Sequence, residues 1–140
     1  MNKVMNWNKC EKEFVRKVVV DLERIKSIKK TALLRLCRAR DAKVNSKSVS
    51  LIVEDYYEVV KELLIAYLLK NGLRSRNHQC LISYFAKENP NMEKEYVLIG
   101  QMSFFRNRLG YYGEMIPVQF YDDKKEEFEH LVSVLLELLG

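Results

Sequence analysis

The segment Phe104-Phe105-Arg106-Asn107-Arg108-Leu109-Gly110-Tyr111-Tyr112-Gly113-Glu114 gathers the side chains best suited to chemistry in this 140-residue chain. Arg106 and Arg108 offer rigid guanidinium forks that match phosphate oxygens. Tyr111 and Tyr112 offer ring faces on which bases stack. A plainer reading stands beside this one: the arginines neutralise the negative end of a helix dipole and the tyrosines pack at a corner. Other chemistries lack their residues. The two histidines, His78 and His130, fall on different elements with no zinc-ligand spacing. His130 lies within an amphipathic helix near Glu126 and Glu127, a structural placement. No glycine-rich phosphate loop occurs, and a Ser-His-Asp hydrolase would need a strand-turn-helix elbow. Neither a metal nor another cofactor is expected.

The elements that must hold this segment read as helices. Only five Gly and two Pro punctuate the chain, so long elements are expected rather than many short strands. Phe14, Val18, Leu22 and Ile25 recur at three- and four-residue steps and predict a helix from Asn8 to about Ile28. A second helical stretch follows over Thr31 to Val44, with Leu33, Leu36 and Cys37 apolar; whether Ser27 to Lys30 separates the two is left open. The clearest stripe is Ile52, Tyr56, Val59, Val60, Leu63, Leu64 and Tyr67, widened by Leu51, Ala66 and Leu68. It predicts a central helix from Val49 to Asn71, ended by Gly72 as a left-handed cap. Asn77 caps a short helix over His78 to Lys87, and Glu93 to Leu109 form the next. Ile116-Pro117 pushes the chain into an extended connection through Tyr121. Asp123-Lys124-Lys125-Glu126 resembles a capping box that opens a last helix with Phe128, Leu131, Val132, Leu135 and Leu138 inward. The expected fold is a single all-α domain, residues 1–140, of about five to six helices, with basic N-terminal helices over 8–45.

Composition bounds the setting. Residues 1–50 hold 14 Lys and Arg against 5 Asp and Glu, and the remainder holds 10 against 14. Such a split marks a nucleic-acid-facing end, an acidic and a basic surface that meet on assembly, or a solvated face. Under the first reading Arg35 and Arg38 join the phosphate-binding set. Cys10, Cys37 and Cys80 are odd in number and sit among apolar neighbours, which predicts buried free thiols and a reducing compartment. With no signal-peptide pattern and no apolar run near the roughly 20 residues a bilayer requires, a cytoplasmic location and no membrane association are expected.

Several pieces together resemble the HEPN family, the higher-eukaryote-and-prokaryote nucleotide-binding domain, in its prokaryotic and archaeal branch. They are Tyr56-Tyr57, Glu62-Leu63-Leu64-Ile65-Ala66, the Asn71-Gly72 stop, His78 through Phe85, and Arg106-Asn107-x-x-x-Tyr111-Tyr112-Gly113, so the resemblance covers about residues 50–140. It implies an up-and-down helical bundle, usually a homodimer, and members that are toxins or partners of small nucleotidyltransferases. Active members carry R-N-x-x-x-H and cut RNA without metal, Arg holding the phosphate and His moving the proton for attack by the 2′-hydroxyl. Arg106 and Asn107 match the first two positions, and Tyr111 stands at the histidine position. A phenol, with an ordinary pKa near 10, is a poor proton shuttle at neutral pH beside an imidazole near 6.5. In some toxins a tyrosine two residues past the histidine is modified by the partner enzyme; Gly113 stands there.

The resemblance therefore implies a homodimer binding RNA or nucleotide in an interface cleft around Arg106 and Asn107, with Arg108 and Tyr112 beside them. Two alternatives follow. One is a metal-independent endoribonuclease in which Tyr111 or His78 replaces the missing histidine. The other is an interaction module that docks a nucleotidyltransferase subunit. The breadth of the apolar surface over residues 51–69, together with the final Leu-rich helix, is itself read as a sign of dimerisation.

Overall fold

The broad apolar stripe of the central helix sets the architecture, because a helix buried on most of its circumference must have neighbours on several sides. A computed structural model describes residues 4–140 of the chain. In chain order the described residues form α1 (Trp7–Glu13), β1 (Val15–Lys17), α2 (Leu22–Asp41), α3 (Val49–Lys70), β2 (Leu73–Ser75), α4 (His78–Glu88), α5 (Glu93–Tyr112) and α6 (Val118–Leu139). The protein is an all-α helical bundle carrying one short two-stranded ribbon. α3 packs against α2, α4, α5, α6 and β2. The whole predicted stripe from Ile52 to Tyr67 is buried, whereas Leu51 is exposed. The apolar breadth of α3 is thus absorbed by neighbours within the same chain. It gives no argument for a dimer.

The last two helices close the core. Phe128, Leu131, Val132 and Leu135 of α6 meet α3 across it, and Leu98, Ile99 and Met102 enter from α5. Burying side chains of this size contributes about 1.5–3 kcal/mol each. α6 starts at Val118, not at Asp123: Pro117 precedes it with φ −59°, supplying a preset turn and needing no N–H partner. Phe120 packs between Phe105 and Phe128, at ring separations of 4.5 and 5.7 Å. That packing overrides the local extended tendency of Val118 to Tyr121. Asp123 lies inside the helix and accepts a hydrogen bond from Gln119 at 2.7 Å.

The N-terminal third departs most from expectation. The helix predicted to Ile28 stops at Glu13, and the chain runs extended before α2. β1 pairs antiparallel with β2, Arg16 opposite Arg74. Two causes act together. Val18-Val19-Val20 is β-branched and disfavours helix, and Asp21 caps α2 by accepting from the Arg24 amide at 3.1 Å. Phe14 and Leu22, read as inward, are exposed. α2 is continuous through Ser27 to Lys30, and Leu33 is exposed while Leu36 is buried. Gly72, at φ +72°, turns the chain at the end of α3, and its carbonyl accepts from the Val18 amide at 2.9 Å. β2 consequently runs back beside α3 to the start of α4.

The cysteines also differ from expectation. Cys10 and Cys80, both fully buried, form a disulfide with a Cα–Cα separation of 5.5 Å, and Cys37 is free and exposed rather than buried. Apolar neighbours predict burial, but nothing in a 70-residue separation reveals pairing. The bridge ties α1 to α4, where Trp7 lies against Tyr84 and Ser83 donates to the Met5 carbonyl at 2.7 Å. The free-thiol argument for a reducing compartment falls with it. Among the described residues, no helix is long and apolar enough to cross a membrane.

Candidate functional site

α5 delivers the Arg106–Tyr112 segment, and it is longer than its sequence pattern suggests. The helix runs through Tyr112 and ends at Gly113, whose φ of +66° lets its amide reach the Leu109 carbonyl while the Glu114 amide reaches that of Arg108. Helical geometry then separates the two arginines by about 200° around the axis. Arg106 turns toward α3, and Arg108 turns away.

Arg108 is spoken for. Its fork closes on the Glu114 carboxylate in a bidentate pair, and it lies over the rings of Tyr112 and Phe104 at 5.3 and 5.7 Å. The pair holds the Glu114 carboxyl below the ordinary carboxylate range. Tyr111 and Tyr112 are 75% and 70% exposed. Asn107 is half-buried.

Arg106 has a different environment. Its guanidinium sits 3.9 Å from both Glu54 and Glu58 of α3, longer than hydrogen-bond contact. It therefore feels two carboxylates without its donors being closed on either. The group lies against Gly110, one turn on, where a Cβ would come 2.8 Å from Nη1. Glu58 also binds Lys61 at 2.6 Å, and both are largely covered.

His78 completes the cluster. As the first residue of α4 it follows the Asn77 cap, whose side chain accepts from the Gln79 amide at 2.9 Å, as the sequence predicts. The residue is exposed. Partial burial lowers its pKa, the positive charges of Lys61 and Arg106 lower it further, and Glu58 opposes them. Next to it, Gln79 donates to Ser103 Oγ of α5 at 3.1 Å. Buried Tyr57 feels Glu58, Arg106 and Tyr111, and its phenol is pushed up chiefly by burial. The charges of Arg106 on α5 and of Lys61 and Glu58 on α3 thus all act on the imidazole at the start of α4.

Arg35 and Arg38 are not part of this cluster. Arg35 bonds Glu62 at 2.7 Å, and Arg38 grips Asp55 through two bonds of 3.1 and 2.6 Å. α3 presents Glu54 and Glu58 to α5 and Asp55 and Glu62 to α2. Arg40 likewise pairs with Glu129 of α6. Three of the fourteen basic residues in the first fifty thereby meet acidic residues of the remainder inside one chain. Sequence reasoning missed Glu54, Glu58 and Lys61 as site residues; their one-turn spacing on α3 was legible only as a solvated face. Among the described residues no group of three or more His, Cys, Asp or Glu is placed to hold a metal ion.

No family model matches the chain, and no curated protein or solved structure matches it at a significant level.

Proposed function

We propose that this chain is a HEPN-like subunit that binds RNA or a nucleotide through Arg106, in a cleft completed by a second copy. The observation that supports it best is the contrast among its arginines. Arg35, Arg38, Arg40 and Arg108 are closed on carboxylates at hydrogen-bond distance, whereas Arg106 is held at 3.9 Å from two. A phosphate can enter that loose shell and accept bidentate donors, which are stronger than the longer ion contacts they displace. Exposed Leu51, Tyr111, Tyr112 and Met115 lie near the same end of the bundle, and they offer apolar area for the partner copy and for stacked bases. The test is binding of a labelled single-stranded oligoribonucleotide at low salt. Arg106→Ala abolishes binding and Arg108→Ala changes it by less than about threefold. Equal losses in the two variants, or none in either, refute the reading.

The position of His78 favours a second reading, metal-independent RNA cleavage. The family's proton-moving histidine stands on the same helix as its arginine. Here the imidazole sits at the start of α4 instead, in the field of the Arg106 charge, and burial with the charges of Lys61 and Arg106 lowers its pKa, which favours the neutral, proton-accepting form.

A further inference from the structure

Nine arginines occur in the chain, and five of them have carboxylate partners within 4 Å. The other four, Arg16, Arg24, Arg74 and Arg76, have none among the described residues, and all four gather around the two-stranded ribbon. Arg16 and Arg74 are direct cross-strand partners, so their side chains leave the same face of the ribbon. Arg76, just past the end of β2, lines the same two cavities as Arg74. Arg24 comes from the first turn of α2 to the same groove. Like charges placed directly opposite destabilise a strand pair, and here no carboxylate of the described residues pairs with them within 4 Å. The Arg74 guanidinium registers the crowding, its pKa lowered by Arg24 first, then by Arg16, and after burial by Arg76.

The cluster has a shape as well as a charge. A cavity of about 350 Å³ opens between the α1–β1 corner and β2, lined by Phe14, Arg16, Arg74, Arg76 and Asn77, with Glu13 as the carboxylate on its rim. A smaller cavity of about 160 Å³ shares Arg74 and Arg76 and adds Arg24 over an apolar floor of Ile65, Leu68 and Leu69. A low-dielectric floor under guanidinium groups strengthens their attraction for an anion. Phe14, 43% exposed beside these charges, offers a face for a base.

The segment after Gly72 carries the cluster toward the site already described. Arg74, Arg76 and His78 succeed one another at two-residue steps, within about 13 Å of chain, and His78 feels the Arg106 charge. We propose that Arg16, Arg24, Arg74 and Arg76 form the surface along which the backbone of a single-stranded RNA is held and led to His78 and Arg106. The occupant is RNA rather than a membrane or a free polyphosphate, because the charges line a groove with a stacking ring and continue into a second phosphate-competent arginine. This inference rests on reading the Arg106 cluster as an RNA site.

The experiment is fluorescence anisotropy with a labelled single-stranded oligoribonucleotide, read as a function of salt. Arg74→Ala/Arg76→Ala weakens binding about tenfold or more and reduces the slope of log affinity against log salt by about 1.4, the release of two counterion equivalents from a single strand. Its thermal midpoint stays the same or rises, since the change relieves repulsion. Phe14→Ala weakens RNA binding but not binding of inorganic polyphosphate. Unchanged affinity and slope in the double variant overturn the proposal, as does polyphosphate binding that matches RNA at equal charge. Arg106→Ala, measured alongside, separates the two readings. Loss there with a wild-type double variant leaves the Arg106 site standing and removes this surface, and the opposite pattern keeps the surface and removes the Arg106 site. Wild-type protein that binds no RNA at low salt removes both.

Discussion

The Arg106 guanidinium lies across Gly110, and the missing side chain of that glycine is what allows it: a Cβ there would stand 2.8 Å from Nη1. Glycine inside a helix is disfavoured by about 1 kcal/mol relative to alanine. Its presence one turn after the arginine makes room for a folded-down fork facing Glu54 and Glu58.

Gly110→Ala therefore separates stability from function. The variant keeps or raises its melting temperature, gaining up to about 1 kcal/mol of helix propensity, while RNA affinity falls at least severalfold because the guanidinium is displaced. Thermal melts and anisotropy on the same preparation check both halves. A variant that binds like wild type shows that the Arg106 position against Gly110 is incidental.

The Cys10–Cys80 bridge closes a loop with a sequence separation of 70. Chain-entropy arguments place the stabilisation from such a closure at about 4 kcal/mol, with measured losses of about 2–5 kcal/mol. Cys10→Ser should lower the thermal midpoint by roughly 10 °C. Thiol titration of the denatured wild-type protein should find one reactive group without reductant, Cys37, and three after reduction. Three thiols before reduction refute the bridge.

Tyr56, Glu129 and Arg40 join three helices at one polar point. Tyr56 donates to Glu129, and Arg40 grips the same carboxylate. Arg40 first, and then the Tyr56 hydroxyl, hold the Glu129 pKa below its ordinary value against the opposing effect of burial. A carboxyl with a depressed folded pKa adds stability above its unfolded pKa and loses it as pH falls through the folded one. Glu129→Gln should destabilise at pH 7 by about 1–2 kcal/mol, the modest end reflecting its partial exposure. Its stability should also decline less than that of wild type between about pH 5 and pH 2. Parallel denaturant titrations at several pH values test this, and identical pH slopes would remove Glu129 from the acid response.

The sequence makes the helical core plain and the N-terminal third obscure, for a physical reason. The burial of α3, α4 and α6 follows from periodic apolar residues, and their caps at Asn77 and Gly72 use side-chain and backbone rules that act locally. The break after Glu13 does not. Phe14, Val18 and Leu22 fit a helical stripe as well as any, and only the pairing edge of β2, far away in sequence, makes the extended form better. The candidate site divides the same way. Arg106 stood out by its neighbours in sequence, but its looseness depends on Glu54 and Glu58, and the part played by His78 depends on the path of β2. Arg74-Ser75-Arg76 carried a faint signal, two like charges close together in sequence. It needed Arg16 opposite to become a cluster.

The last prediction concerns whether the site cleaves RNA, and which residue moves the proton. His78 feels the Arg106 charge, and its pKa is lowered by burial first, then by Lys61 and Arg106. Tyr111 is 75% exposed, five residues beyond the arginine. If the site cleaves, His78 acts as the base. Cleavage of a labelled RNA in chelator then rises with pH and levels off at a lower pH than an ordinary imidazole would give, because the base works in its neutral form. His78→Gln lowers the rate about 100-fold or more, within the range general acid–base help supplies, and leaves RNA affinity within about threefold. Tyr111→Phe changes neither. The same lowered pKa makes a stability prediction that holds even without cleavage. The folded state resists protonating His78, so stability is full above the unfolded pKa near 6.5 and declines as pH falls through the folded one. His78→Gln should flatten that decline. Wild-type cleavage that survives His78→Gln and disappears in Tyr111→Phe would assign the proton to the phenol. Cleavage absent in the wild type but created by Tyr111→His would restore the same-helix arrangement of the HEPN motif and leave His78 with its place at the start of α4 alone.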